Sequence, residues 1–299
     1  MPSVLITGAS GFVGEHLARR FHPDYEVHLV YGSQRPTAKA QAVVQVDFSR
    51  QGDMHMILKN LSVDVVVHAA ALTNPDVCEA NPELAKAVNT EGTREVAQWA
   101  EDRGARIIYF STDLVYDGEK GMYDEDDIPR PINMYGHTKL EGEESVKDIC
   151  SNWAVVRLAL SYGPQKGARG DWTSTMRKEL AAGRDLYLFT DQVRTPAYAG
   201  DTAEAVYRLA GSSKTGVYHM GGRERLSRYD FGVQFARVFG LPAERFHPTQ
   251  MKDMPMKAPR PKDCSLTTDK ISSELAISPC TVVQGLTLQK KEEEDLATG

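Results

Sequence analysis

The chain has 299 residues, a net charge of −6 and 41% hydrophobic residues, which predicts a globular protein that buries a full core and excludes general disorder. No run of about 18 apolar residues predicts a membrane span, and the first residues lack a signal-peptide pattern. Because neither pattern is present, we expect a cytoplasmic protein. No Lys/Arg-rich run indicates a surface for nucleic acid or for an anionic membrane, so we expect neither kind of partner.

Short β-branched runs alternate with longer helical patterns through the first half, which is typical of β-α-β units feeding a parallel sheet. The predicted strands are Ser3–Thr7, Glu26–Tyr31, Val43–Val46, Val63–His68, Arg106–Phe110 and Ala154–Leu158. The predicted helices between them include Phe12–Phe21, Leu84–Arg103 and Tyr135–Ile149. The fold class is therefore predicted to be α/β, with a doubly wound parallel sheet.

A glycine-rich turn follows the first strand and opens a helix. Glycines permit a tight turn, close approach of a pyrophosphate and close helix–strand packing, and the helix N-terminus offers free N–H groups to phosphates. This predicts a Rossmann-type dinucleotide site, although a plain structural turn is the competing interpretation. The cofactor contacts predicted in the turn are Gly8, Ser10, Gly11, Phe12, Val13 and Gly14.

The residues after the second strand indicate which dinucleotide binds. The acidic residue that would bind a ribose 2′-hydroxyl is missing, and Ser33 and Arg35 stand there instead. An arginine at this place accommodates a 2′-phosphate, which favours NADP(H) over NAD(H). A solvated loop arginine is the alternative. Further cofactor contacts are predicted at the ends of the third and fourth strands, from Asp47, Phe48, Ala69 and Ala70.

A tyrosine and a lysine four residues apart on one helix place a phenol beside an ammonium group, a pairing suited to proton donation. Such pairs occur at residues 116–120, 135–139 and 162–166. The first and third bracket turn sequences, and only Tyr135–Lys139 continues into a helical pattern. Thr112, at the end of the fifth strand, could donate a hydrogen bond to a substrate carbonyl, with Ser111 as the less favoured candidate. We therefore predict Thr112, Tyr135 and Lys139 as the catalytic set.

The chain resembles an extended short-chain dehydrogenase/reductase of the dTDP-4-dehydrorhamnose reductase family, which includes the regulatory beta subunit of methionine adenosyltransferase. The segments that carry the resemblance include Thr7–Gly14, His68–Ala71, Asn89, Ser111–Gly118, Tyr135–Lys139, Asp191–Pro196 and Arg260–Leu266. The resemblance implies that Tyr135 is the acid and that Lys139 binds the nicotinamide ribose while lowering the tyrosine pKa. It also implies that Thr112 polarises the keto group and that Asn89 supports the site.

After residue 163 the sequence changes to Gly- and Pro-rich segments between amphipathic stretches. We predict an NADP-binding Rossmann domain over residues 1–162, a smaller mixed α/β substrate-binding lobe with interleaved segments over 163–289, and a charged, disordered tail over 290–299. In the family this lobe closes over a nucleotide-linked sugar, but Arg194 and Ala197 depart from the bacterial reductase pattern. The substrate-binding residues predicted are Thr73, Asn74, Arg194 and Arg260, the two arginines as diphosphate ligands or as surface ion pairs.

The leading functional hypothesis is an NADP(H)-dependent reductase of a keto group on a nucleotide-linked deoxysugar, with the proton supplied by Tyr135. The alternatives are an NADP-binding regulatory subunit whose partner is a methionine adenosyltransferase catalytic subunit, and a reductase of another carbonyl compound. The acidic run at 124–127 and the histidines match no metal-site spacing, so no metal is predicted. A homodimer is common in the wider family.

Overall fold

The structure, a computed structural model, describes residues 1–167 and 169–298. Its strands are β1 (Ser3–Thr7), β2 (Glu26–Tyr31), β3 (Ala42–Gln45), β4 (Val65–His68), β5 (Arg106–Thr112), β6 (Trp153–Leu158), β7 (Ser161–Tyr162), β8 (Leu186–Phe189), β9 (Val193–Arg194), β10 (Ala197–Tyr198), β11 (Gly216–Met220), β12 (Leu226–Ser227) and β13 (Phe246–Thr249). Its helices are α1 (Phe12–Phe21), α2 (Asp53–Ile57), α3 (Pro75–Ala80), α4 (Pro82–Lys86), α5 (Gly92–Glu101), α6 (Met134–Ile149), α7 (Trp172–Ala181), α8 (Ala199–Ala210), α9 (Arg228–Phe239), α10 (Asp269–Leu275) and α11 (Val282–Thr298).

Seven of these described strands form one parallel sheet in the order β11-β6-β5-β4-β1-β2-β3. Helices α1, α8 and α10 contribute to the apolar core on one face, and α2, α5 and α6 to the core on the other. All four residues of β4 are buried, as a strand covered on both faces requires. The α/β class and the doubly wound parallel sheet are confirmed.

The six predicted strands are present with small shifts at their ends, but the edge strand β11 was not predicted. Its sequence is short and half polar, and it comes from the segment assigned to the second lobe. The predicted helix Leu84–Arg103 is also divided, because a turn of π-helix at Ala87–Glu91 separates α4 from α5. That wider turn carries Asn89, whose side chain is fully buried.

The second lobe has its own apolar core, built around Tyr162, Phe231 and Phe235. Short strand pairs β7–β10, β8–β13 and β9–β12 surround it. The chain nevertheless returns to the main sheet twice beyond residue 163, since α8 packs against α1 and β11 pairs with β6. A boundary at 162/163 would therefore assign β11 to the second lobe, although this strand belongs to the main sheet.

The expectation of a disordered tail at 290–299 is wrong over the residues described, because α11 continues to Thr298. Two acidic side chains of this stretch are paired with cations of the second lobe. Glu292 lies 2.6 Å from the Lys166 ammonium, and Glu293 accepts a 2.7 Å hydrogen bond from Arg177. Among the described residues, no helix is both long and apolar enough to cross a bilayer.

Two glycines allow α6 to lie close against the end of β5. A Cβ at Gly136 would overlap the Leu114 carbonyl oxygen, and a Cβ at Gly142 would overlap the Tyr109 hydroxyl. At the N-terminus of the helix, the Asn133 side chain accepts a 2.9 Å hydrogen bond from the Gly136 N–H. The helix that carries Tyr135 is thus held at a fixed distance from the carboxyl edge of the sheet.

A buried ion pair fixes the same helix to β6. Arg157 donates two hydrogen bonds to Glu143, of 2.9 and 2.8 Å, and a third of 2.7 Å to the Tyr116 hydroxyl. Burial by itself would raise the pKa of Glu143, but the hydrogen bonds and charge of Arg157 outweigh it and hold that pKa below its usual range. The carboxylate therefore stays ionised, and each buried charge is stabilised by the opposite charge of its partner.

We expect the variant Arg157→Met to lose about 3–5 kcal/mol of unfolding free energy in urea titrations, because it leaves the Glu143 charge buried without its partner. The double variant Glu143→Leu/Arg157→Met should recover most of that loss. Arg184→Ala, which removes an exposed pair with Glu179, is the control and should leave the midpoint unchanged. If Arg157→Met proves as stable as the wild type, the ion pair does not fix α6.

Candidate active site

A cavity of about 920 Å³ opens at the carboxyl edge of the main sheet, between the sheet and the second lobe. Its wall is formed by the glycine-rich turn, by the ends of β2 to β6, and by residues of the second lobe. Ligands of open α/β sheets bind at this edge. The cavity is therefore where the predicted site residues should meet.

The glycine-rich turn forms one end of the cavity. Gly8 has φ +66°, and a Cβ there would overlap the backbone of Ala69 and Ala70, while a Cβ at Gly14 would overlap the Gly8 carbonyl. Gly11 caps α1 through its backbone alone, so the N–H groups of the first helical turn remain available to an anion. The predicted turn residues that line the cavity are Gly8, Ser10, Gly11, Phe12, Val13 and Gly14.

The structure places Ser33 in the cavity wall but leaves Arg35 exposed and outside it. Arg169, from the loop between β7 and α7, is the arginine that lies beside Ser33. Its guanidinium lies 3.3 Å from the Ser33 hydroxyl and 3.4 Å from the Gln34 side-chain oxygen, and it lines the cavity. Sequence spacing could not identify Arg169, because it lies more than a hundred residues from β2.

The remaining predicted contacts divide into two groups. Those that line the cavity are Asp47, Phe48, Ala69, Ala70 and Thr73. Asn74 lies outside the wall, because its side chain caps α3 by accepting hydrogen bonds of 2.9 and 3.2 Å from the N–H groups of Asp76 and Val77. The side-chain oxygen of Asn74 is thus occupied in capping α3 and is not directed to a ligand in the cavity.

Thr112 and Tyr135 both line the cavity. The Thr112 hydroxyl donates a 3.1 Å hydrogen bond to Asp113 and accepts one of 3.2 Å from the Leu114 N–H. Burial raises the pKa of Tyr135 well above its ordinary value, the nearby Asp113 raises it further, and hydrogen bonding with Thr112 opposes the shift. With only the protein's own groups around it, the phenol therefore holds its proton at neutral pH.

Lys139 lies one helical turn beyond Tyr135 and is 2% exposed, behind the cavity wall rather than in it. Its Nζ lies 4.1 Å from the centroid of the Tyr109 ring. Burial lowers the pKa of Lys139 to about 7, and Glu143 opposes the shift. The implied lowering of the tyrosine pKa by Lys139 is thus not seen among the protein's own groups, where the pKa of Tyr135 is raised instead.

Asn89 connects α6 to the segment after β4. Its side-chain amide donates 3.1 Å hydrogen bonds to the Thr138 hydroxyl and to the Leu72 carbonyl, and its oxygen accepts one of 2.8 Å from the Leu72 N–H. Asn89 therefore positions the segments on both sides of Tyr135 without reaching the cavity itself. The supporting role implied by the resemblance is compatible with these contacts.

Three arginines of the second lobe line the cavity opposite the glycine-rich turn. Arg194 lies 3.2 Å from the Asp113 carboxylate, and Arg260 donates a 2.9 Å hydrogen bond to Asp76. The third, Arg228, stands at the first position of α9, with its guanidinium carbon 3.9 Å from the centroid of the Trp172 ring. Sequence reasoning missed Arg228 and Asp113, although Asp113 directly follows Thr112.

The family model described as RmlD substrate binding domain matches residues 2–293. A probable low-salt glycan biosynthesis reductase of Haloferax volcanii is 34% identical over 289 residues, which are 94% of this chain and 95% of that protein. Methionine adenosyltransferase 2 subunit beta of Pongo abelii is 31% identical over 277 residues, 90% of this chain and 81% of that protein.

Solved structures share the fold along almost the whole chain. A hypothetical dTDP-4-dehydrorhamnose reductase from Sulfolobus tokodaii is 30% identical with a TM-score of 0.83, covering 95% of this chain and 98% of that one. The dTDP-4-dehydrorhamnose reductase of Bacillus anthracis, solved in complex with NADP, has a TM-score of 0.87 at 24% identity and covers 97% and 99%. The chain belongs to the RmlD substrate binding domain family, within the extended short-chain dehydrogenases/reductases.

Proposed function

We propose that the protein is an NADPH-dependent reductase of a keto group on a nucleotide-linked sugar. The observation that carries the proposal is that one cavity contains both the glycine-rich turn and the hydroxyl groups of Thr112 and Tyr135. The turn is suited to a dinucleotide, and the two hydroxyls are suited to a carbonyl oxygen. The Haloferax relative is named as a reductase, which supports the same class of reaction.

The residues around the turn fit an NADP-type cofactor. Gly8 and Gly14 keep the turn tight, because a Cβ at either would overlap neighbouring backbone, and Ser33 and Arg169 offer a hydroxyl and a guanidinium where a 2′-phosphate would lie. The Bacillus reductase that shares this fold was solved with NADP. When bound, the cofactor supplies the hydride.

The chain's own residues would supply the proton and stabilise the charges that develop as it is transferred. Tyr135 would donate its phenolic proton to the carbonyl oxygen as the carbon gains the hydride, so that a ketone becomes an alcohol. Thr112 would donate a hydrogen bond to the same oxygen, exchanging its present contact with Asp113. Lys139, which is buried behind the cavity wall, would have to extend to the cavity to hold the nicotinamide ribose, and there its positive charge would stabilise the phenolate that Tyr135 becomes.

A second candidate is a cofactor-binding regulatory subunit, favoured by the 31% identity to methionine adenosyltransferase 2 subunit beta over 90% of the chain. The same cavity would then bind a dinucleotide without turnover. Co-purification with a methionine adenosyltransferase catalytic subunit, together with absence of NADPH oxidation in a screen of nucleotide-linked ketosugars, would favour this function. NADPH oxidation without subunit binding would exclude it.

For the proposed reaction, Tyr135→Phe should lower kcat for reduction of dTDP-4-dehydrorhamnose by roughly 10²–10⁴-fold, because the proton donor is lost. NADPH binding, followed by nicotinamide fluorescence, should change little. Thr112→Val should also lower kcat. Unchanged turnover in Tyr135→Phe would overturn the assignment, and no NADPH oxidation by the wild type with any nucleotide-linked ketosugar would overturn the proposed function.

The cofactor preference should depend on Arg169 and not on Arg35. We expect Arg169→Ala to weaken NADPH binding about tenfold or more and NADH binding much less, since a guanidinium–phosphate contact is lost. Arg35→Ala is the matched control and should change neither affinity appreciably. The reverse result, with selective loss in Arg35→Ala, would return the phosphate to the residue first predicted from the sequence.

The buried ammonium group of Lys139 should lower the unfolding free energy of the protein. Its pKa is about 7 when folded, against 10.5 as the reference value, so the unfolded chain binds more protons between these pH values and this contribution to stability rises with pH. Urea titrations should find Lys139→Met more stable than the wild type by roughly 1 kcal/mol or more at pH 7, with a smaller advantage at pH 9.5. A less stable variant at pH 7 would contradict the low pKa.

A further inference from the structure

The three arginines that line the cavity opposite the glycine-rich turn differ in what the protein provides to balance their charges. Arg194 is paired with Asp113, and Arg260 is paired with Asp76. Arg228 makes no ion pair with a carboxylate among residues 1–167 and 169–298, and its guanidinium stacks instead on the Trp172 ring. The carboxylate that favours the charged form of Arg228 is that of Asp113, and it is already paired with Arg194.

The surroundings of Arg228 disfavour its charge. Burial and the like charges of Arg194 and Arg260 lower the pKa of Arg228 to about 9, and only Asp113 opposes them. A guanidinium held among two others is unfavourable unless an anion joins the group. The chain has a net charge of −6, so this positive cluster is a local feature and does not reflect the overall charge.

The position of Arg228 is well defined. Its residue begins α9, where the Ser227 hydroxyl caps the helix by accepting a 3.0 Å hydrogen bond from the Asp230 N–H. Its own backbone N–H donates a 3.0 Å hydrogen bond to the Gln192 carbonyl. Trp172, held against Phe231 with the ring centroids 4.4 Å apart, covers one face of the guanidinium. A stacked guanidinium keeps its N–H edges free to bind oxygen atoms.

We propose that Arg228 is the anion-binding residue of the substrate site, and that the substrate carries a phosphate or carboxylate group that it binds. This inference rests on the proposed function for the identity of the cavity, and it names a recognition element of the substrate. Arg194 and Arg260, for which the sequence left diphosphate binding and ion pairing open, are paired with Asp113 and Asp76. The oxyanion belongs either to the diphosphate of a nucleotide-linked sugar or to an acidic sugar ring.

Direct binding measurements test this without turnover. Calorimetric titrations of the NADP⁺-saturated protein would use UDP-glucose and UDP-glucuronic acid, which share the diphosphate and differ in the sugar carboxylate. Arg228→Met should weaken both ligands about tenfold or more if the residue binds the diphosphate, and only UDP-glucuronic acid if it binds a sugar carboxylate. Arg228→Lys should lose less than Arg228→Met, because it keeps the charge but lacks the planar fork.

Arg237→Ala, an exposed arginine on the same helix, is the matched control and should bind as the wild type does. Equal affinities of wild type and Arg228→Met for both ligands would overturn the proposal, as would a wild type that binds neither. If Arg228→Met does not fold, Arg228→Lys decides: an unchanged affinity overturns the proposal and a weakened one supports it. Because no reaction is measured, a loss of binding with no NADPH oxidation would retain this inference and reject the reductase function.

Discussion

The contact between α6 and the carboxyl edge of the sheet is the constraint on which the rest of the site depends. Gly136 and Gly142 have no side chain that would hold the helix away from the end of β5. The Glu143–Arg157 ion pair fixes the helix to β6. Because Tyr135 and Lys139 lie on this helix, its position fixes the phenol at the cavity and the ammonium behind it. Asn89 completes the attachment from the other side.

The same helix concentrates groups whose burial is unfavourable. The ammonium of Lys139 has a pKa near 7 and is therefore only partly charged at neutral pH, whereas the raised pKa of the Tyr135 phenol keeps on it the proton that it would donate. In the proposed mechanism, the anionic ligand and the developing alkoxide change this balance. Perturbed groups that face one cavity are typical of functional sites.

Much of the fold and half of the site could be predicted from the sequence, because they rest on local spacing. The glycine-rich turn and the Tyr135–Lys139 pair each lie within eight residues, and helix geometry alone brings their members together. Arg169 and Arg228 could not be found in this way, since the folding of a distant lobe brings them to the cavity. The edge strand β11 was missed for a related reason, because only its pairing with β6 identifies it. The pKa of Lys139 depends on burial, which spacing does not report.

The central claim is that this cavity binds a dinucleotide with its nicotinamide beside Tyr135. A crystal structure of the protein grown with NADP⁺ tests it most directly. We predict the pyrophosphate against the first turn of α1, and the nicotinamide ribose within hydrogen-bonding distance of Tyr135 and Lys139. A dinucleotide bound elsewhere, or one whose nicotinamide end lies away from Thr112 and Tyr135, would contradict the account.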